Sequence, residues 1–121
     1  MKAEPLLVAL DVETGARALE LVTQLRSVAG GFKIGSRLFT LEGPSLVRAI
    51  TDSGSRVFLD LKFHDIPNTV AGAVESAAKL PVKMLTIHTG GGREMMSRAV
   101  AASQSGSKPL ILGVKIGRAH V

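Results

Sequence analysis

The stretch FLDLKFHDIPNT, residues 58–69, begins as a strand and ends as the start of a helix. Phe58, Leu59, Leu61 and Phe63 are apolar, yet Asp60, Lys62, His64 and Asp65 are set among them. Burying an unpaired charge is costly, so these groups either pair with one another or complete a ligand site. Asp60 and Lys62 stand two residues apart on a predicted strand, which puts both side chains on one face. A structural ion pair and a charged cavity both satisfy that placement. Asp65, just before Pro67, reads either as a turn former or as a site residue, and Asn68 and Thr69 suit a helix start.

Outward from this stretch the chain alternates short β-rich runs with longer helical ones. Residues 6–10, LLVAL, form a continuous apolar run suited to a strand buried on both faces. Residues 14–28 carry Ala18, Leu21, Val22 and Leu25 at helical spacing, and Gly30-Gly31 ends the helix. FKIG, residues 32–35, is a second strand, and residues 44–50 form a helix with Pro44 in its first turn. A third strand over 57–62 leads into a helix over 67–80. A fourth strand over 83–88 is followed by Gly90-Gly91-Gly92 and a helix over 94–102. LILGV, residues 110–114, is the fifth strand.

Strands that alternate with helices imply parallel pairing through right-handed crossovers. An open doubly wound sheet and part of an eight-stranded barrel both fit. Asp11, Lys33, Asp60 with Lys62, and His88 all fall at or near the C-terminal ends of successive strands, where barrel enzymes gather their chemistry. An open sheet concentrates ligand groups at one switch point instead. The expected fold is therefore α/β: about five strands and four helices, the N-terminal portion of a (β/α)8 barrel. A whole barrel typically needs about 250 residues.

Composition narrows the chemistry. The 121 residues are 45% hydrophobic, enough for one core, but only 3% aromatic with no Trp or Tyr, which argues against a base-stacking nucleic-acid module. There is no cysteine, so disulfides, zinc thiolates and cysteine nucleophiles are excluded. The formal charge of +5 is scattered rather than clustered, the pattern of a solvated surface. The N-terminal apolar run is too short for a membrane span or signal peptide, so a cytoplasmic protein without a membrane partner is expected.

No metal-ligand spacing appears, and neither Gly-x-Gly-x-x-Gly nor Gly-Lys-Ser/Thr occurs. Cofactor-free chemistry by charged groups is what remains. Lys33 and Asp11 can join Asp60 and Lys62 at one end of the barrel, although a strand-end Lys is also an ordinary surface residue. His88 reads as a general base or as a hydrogen-bonded strand-end histidine. The three glycines after it can present amides to an anion or simply make a turn.

Taken together, ALDV with Asp11, FKIG with Lys33, FLDLKFHDIPNTV with Asp60, Lys62, Asp65 and Thr69, and HTGGG resemble the orotidine 5′-phosphate decarboxylase family in its bacterial form. The match in order and spacing runs from the N-terminus to about Val114. Asp-x-Lys-x-x-Asp also occurs in sister barrels such as hexulose-phosphate synthase, whereas the full DLKFHDIPNT string is much more specific. The resemblance implies a cofactor-independent (β/α)8 homodimer that converts orotidine 5′-phosphate to UMP and CO2 in pyrimidine synthesis. It makes Lys62 the proton donor to C6, sets Asp60 beside the departing carboxylate, and has Lys33 bond Asp60 and the ribose. Asp11 would bind a ribose hydroxyl. Asp65 and Thr69 would reach into the partner's site, with Asn68 also against the substrate.

After residue 114 the resemblance stops. The end, KIGRAHV, contains IGRAHV, the translation of one frame through a common sequencing-library adapter, so residues 115–121 are expected to be non-native and residues 1–114 to form the barrel portion. The 121-residue chain is accordingly expected to fold poorly and to be essentially inactive by itself. A sister-barrel lyase or aldolase acting on a sugar phosphate, and a non-enzymatic barrel fragment, are the alternatives.

Overall fold

Each of the apolar runs becomes a strand that pairs in parallel with the strand before it. The computed structural model describes residues 6–116. Its elements run β1 (Leu7–Ala9), α1 (Gly15–Leu25), β2 (Gly31–Gly35), α2 (Ser36–Glu42), α3 (Pro44–Asp52), β3 (Val57–Phe63), α4 (Pro67–Ala77), β4 (Met84–His88), α5 (Arg93–Ala102) and β5 (Leu110–Val114). The suspected foreign tail follows β5, and its residues 117–121 lie outside the described residues.

The sheet order is β1-β2-β3-β4-β5, with every neighbouring pair parallel. An open doubly wound sheet reverses its strand order at a switch point; this one never does. Successive crossovers in one direction lay all the helices on one face. Phe32 and Ile34 of β2, Val57 and Leu59 of β3, and Leu85 and Ile87 of β4 share a single buried cluster with residues from all five helices. The opposite parity (Lys33, Phe58, Asp60, Lys62, Met84, Thr86 and His88) faces what is the interior in a closed barrel. One face of the sheet carries the core, and the other carries the polar groups.

Between β2 and β3 the structure has two helices where the sequence pattern predicts one. The missed element, α2, spans seven residues and fully buries only Leu38, so it shows no apolar stripe. Gly43, at φ 67° and ψ −161°, separates it from α3. That conformation is essentially restricted to glycine. Pro44 then occupies the first turn of α3, where its missing N–H costs nothing. The chain thus reaches five helices rather than four.

The first strand also departs from expectation. Leu10 is buried, but Leu7 is 40% exposed and only Val8 of β1 packs against the core. β1 pairs with β2 alone among the described strands, so its other edge and its interior-facing side have no cover. The same holds at the far edge, where Leu110 is 73% exposed. A parallel strand is normally buried on both faces, and an uncovered apolar edge is a template for association.

At the base of the interior face, Phe58 lies across the start of β2. A Cβ on Gly31 would collide with the Phe58 ring, so any larger residue there forces the ring to move. Two expectations follow for the 121-residue chain. It self-associates at micromolar concentrations, and Leu110→Lys with Leu112→Lys shifts it toward monomer in sedimentation velocity. A wild-type chain that sediments as a monomer throughout contradicts this. Gly31→Ala lowers the soluble, structured fraction further, read by far-UV circular dichroism at matched concentration.

Candidate active site

The polar groups converge because β3 is irregular. Leu59 pairs with Leu85 and Phe63 with Ile87, so β3 advances four residues while β4 advances two. The surplus is a bulge over residues 60–62, and Lys62 lies within it at φ 51°. A left-handed backbone is uncommon for a non-glycine residue, costs about 1–3 kcal/mol, and persists only where its surroundings hold it. Because the excess is an even number of residues, Asp60 and Lys62 stay on the same face across the bulge.

Asp60 sits at the centre, 7% exposed. Its Oδ2 accepts from Lys62 Nζ at 2.8 Å and pairs with Lys33 Nζ at 3.2 Å. Its Oδ1 accepts from the Thr86 hydroxyl at 2.7 Å. Burial alone would raise the carboxyl pKa, but the hydrogen bonds from Lys62, Thr86 and Lys33 outweigh it and hold the group below the ordinary value of 3.8. Two ammonium groups on one carboxylate leave a net positive charge at the mouth of the interior. No buried side-chain polar atom among the described residues lacks a partner.

Of the residues expected from the sequence, the structure brings Lys33, Asp60 and Lys62 into direct contact and leaves the others outside that contact. Asp11 is exposed just beyond β1 and lines a cavity of about 240 Å³ with Gly35, Ser36 and Arg37 at the β2–α2 turn. Asp65 is exposed, and its Oδ1 accepts from the Ile66 N–H at 2.7 Å. It lines an open cleft with His64, Ile66, Pro67, Gly90 and Gly91. Asn68 and Thr69 are exposed on the first turn of α4, where Asn68 Oδ1 accepts weakly from Arg98 Nη2 at 3.4 Å. His88 keeps its strand-end place. Its Nδ1 accepts from the Gly90 N–H at 2.9 Å, and its ring stacks on His64 with centroids 4.6 Å apart.

Thr86 is the residue that the sequence reading passed over. It is a lone polar side chain in MLTIH, at the same parity as His88 and therefore facing the interior. Alternation along β4 was the available signal. Among the described residues no cluster of three or more His, Asp or Glu is arranged to hold a metal ion. No described helix is long and apolar enough to cross a membrane.

Residues 4–116 match the model of the orotidine 5′-phosphate decarboxylase / HUMPS family. The chain belongs to that family. An orotidine 5′-phosphate decarboxylase from Syntrophotalea carbinolica is 52% identical over 117 residues, covering 92% of this chain and 48% of that protein. The enzyme of the same name from Opitutus terrae is 50% identical over 107 residues, covering 88% of this chain and 46% of that protein. The crystal structure of orotidine 5′-phosphate decarboxylase from Lactobacillus acidophilus superposes with a TM-score of 0.80 at 32% identity, over 91% of this chain and 52% of that one. The chain thus spans about half the length of the curated relatives it matches, and the five parallel strands are the N-terminal portion of the family's barrel.

Joining residues 1–114 to the complementary C-terminal half of the Syntrophotalea carbinolica enzyme gives a chimera of full family length. In it, Asp60 contributes stability that is fully present above its unfolded value near 3.8 and is lost as the pH falls through its lower folded value. Asp60→Asn removes that dependence. Acid unfolding followed by circular dichroism should be steeper below about pH 4 for the parent chimera than for the variant. Superimposable acid limbs would show that the pairing is not ionic in solution.

Proposed function

We propose that this chain is the N-terminal, charge-bearing half of an orotidine 5′-phosphate decarboxylase, acting in the last step of pyrimidine nucleotide synthesis. The observation that carries the reading is the buried Asp60 carboxylate shared by the Lys62 and Lys33 ammonium groups. Family membership and the names of relatives near 50% identity support it.

The chemistry follows from where charge moves. The bond from C6 to the substrate carboxylate breaks heterolytically, CO2 leaves, and the electron pair stays on C6. An ammonium fixed beside that carbon is worth more as charge develops than in the ground state, which is the condition for catalysis. Lys62 supplies it and then transfers a proton to C6, giving UMP. Asp60 aligns Lys62 and lies beside the departing carboxylate, where its negative charge is better tolerated once CO2 has formed. Lys33 keeps the carboxylate in place and reaches the ribose. The slowest uncatalysed reactions need about 20 kcal/mol of barrier reduction. Fixed charges in a water-poor site are a means of supplying a large share of it.

Asp11, at the rim of the β2–α2 cavity, binds a ribose hydroxyl. Asn68 contacts the substrate, while Asp65 at the β3–α4 turn and Thr69 in the first turn of α4, both exposed, reach into a second copy's site in a homodimer. No cofactor enters this scheme, and a cytoplasmic setting suits a metabolic enzyme of this kind. The family description also covers the HUMPS branch, which keeps a sugar-phosphate lyase or aldolase as the second reading.

The test is substrate choice. The chimera converts orotidine 5′-phosphate to UMP in the presence of a metal chelator, followed by the absorbance change of the pyrimidine, and Lys62→Ala lowers kcat by at least about 1,000-fold. Turnover of a hexulose phosphate without any loss of orotidine 5′-phosphate would favour the second reading. The 121-residue chain alone shows no turnover in the same assay.

A further inference from the structure

Thr86 ties both ends of Lys62 to β4 through one buried hydroxyl. The register shift between Leu59 and Phe63 takes the Lys62 N–H out of the regular β3–β4 ladder, and it still needs an acceptor. It donates to Thr86 Oγ1 at 2.9 Å. The same oxygen, through its own hydrogen, donates to Asp60 Oδ1 at 2.7 Å. The polarity is forced: a peptide N–H only donates, an ionised carboxylate only accepts, and a hydroxyl does one of each. Thr86 is 4% exposed, so water does not readily substitute for it.

We infer that Thr86 is a positioning residue for the reaction proposed above, fixing the left-handed backbone of Lys62 and the rotation of the Asp60 carboxylate that steers its ammonium. The inference rests on that reading for its kinetic consequence but not for its geometry. Lys62 Nζ is held through Asp60 Oδ2, and the bond from Thr86 to Oδ1 is what engages the other side of the carboxylate and fixes its rotation. Lys33 bonds only the Oδ2 side, so it cannot perform this service. Thr86 therefore sets the orientation while the two lysines set the charge. His88, on the same face of β4, is occupied with the Gly90 amide and makes no such link. Replacing Thr86 with the isosteric Val leaves a half-buried N–H and a buried carboxylate oxygen without these partners at once, whereas Ser keeps both bonds.

The experiment compares the chimera with its Thr86→Val and Thr86→Ser variants. Thr86→Val lowers kcat by about 10- to 100-fold, the size typical of residues that orient catalytic ligands, with a smaller change in KM. It also raises the titration midpoint of Asp60, read by 13C NMR of the carboxyl carbon, because a hydrogen bond to the charged form is lost. Thr86→Ser keeps most of the activity and the low midpoint. A Val variant with unchanged kcat and midpoint overturns the assignment, as does a Ser variant impaired as severely as Val. If the parent chimera does not consume orotidine 5′-phosphate, the substrate reading fails, and the Asp60 midpoint alone still decides the role of Thr86. If the Val variant does not fold, the Ser variant decides it: a midpoint raised above the parent's overturns the assignment, and a retained one supports it.

Discussion

A single carboxylate that is nearly removed from water organises the polar side of this half-barrel. An isolated ionised Asp60 would be driven to protonate by its burial, yet three donors from three different strands converge on it and hold it charged. That requirement reaches into the fold. It places Lys33 on the interior parity of β2, bends β3 into a bulge, and sets a hydroxyl rather than an apolar side chain in β4. Replacing a buried ion pair with apolar residues is often neutral or stabilising, so stability alone gives little reason to keep such a cluster. The function proposed above supplies one.

Most of the architecture was legible because the strands are short apolar runs bounded by glycine, proline and charge. LILGV was read as a strand over the residues the structure assigns, and the start of α4 at Pro67 followed from the preceding turn. The failure at α2 has a local cause. SRLFTLE buries one residue fully, so helical periodicity has nothing to register, and Gly43 alone marks the joint between two helices. The exposure of β1 has a different cause: an apolar run reports what a strand can bury, not which neighbours cover it.

The site divides along a similar line. Lys33, Asp60 and Lys62 were found because ionisable groups are conspicuous inside apolar strands, and residues two apart on a strand share a face. The left-handed turn at Lys62 was invisible, since nothing in DLK distinguishes a bulge from a regular strand. Thr86 escaped because threonine is an ordinary strand former, and its partner Asp60 is 26 positions away in the chain. Asp11 and Asp65 stand out as ionisable groups at a strand end and a turn, and Asn68 and Thr69 enter by resemblance; the structure finds all four exposed rather than bonded to the cluster.

The strictly sequential strand order bears on how such a chain assembles during its own synthesis. Each of the described strands after β1 pairs with the one made just before it, so a first partner is already present when it emerges. The hydrogen bonds that join neighbouring units span 23 to 30 residues, and the entropy of closing loops rises only slowly with their length. Parallel pairing is slow when its partners lie far apart in the chain, and this arrangement keeps that separation near its minimum for a crossover helix. The Asp60 cluster draws only on β2, β3 and β4, so the charges of the site can be set in order before later parts of a barrel arrive. Assembly of this charge cluster is thereby decoupled from the pairing of the outer edges of β1 and β5.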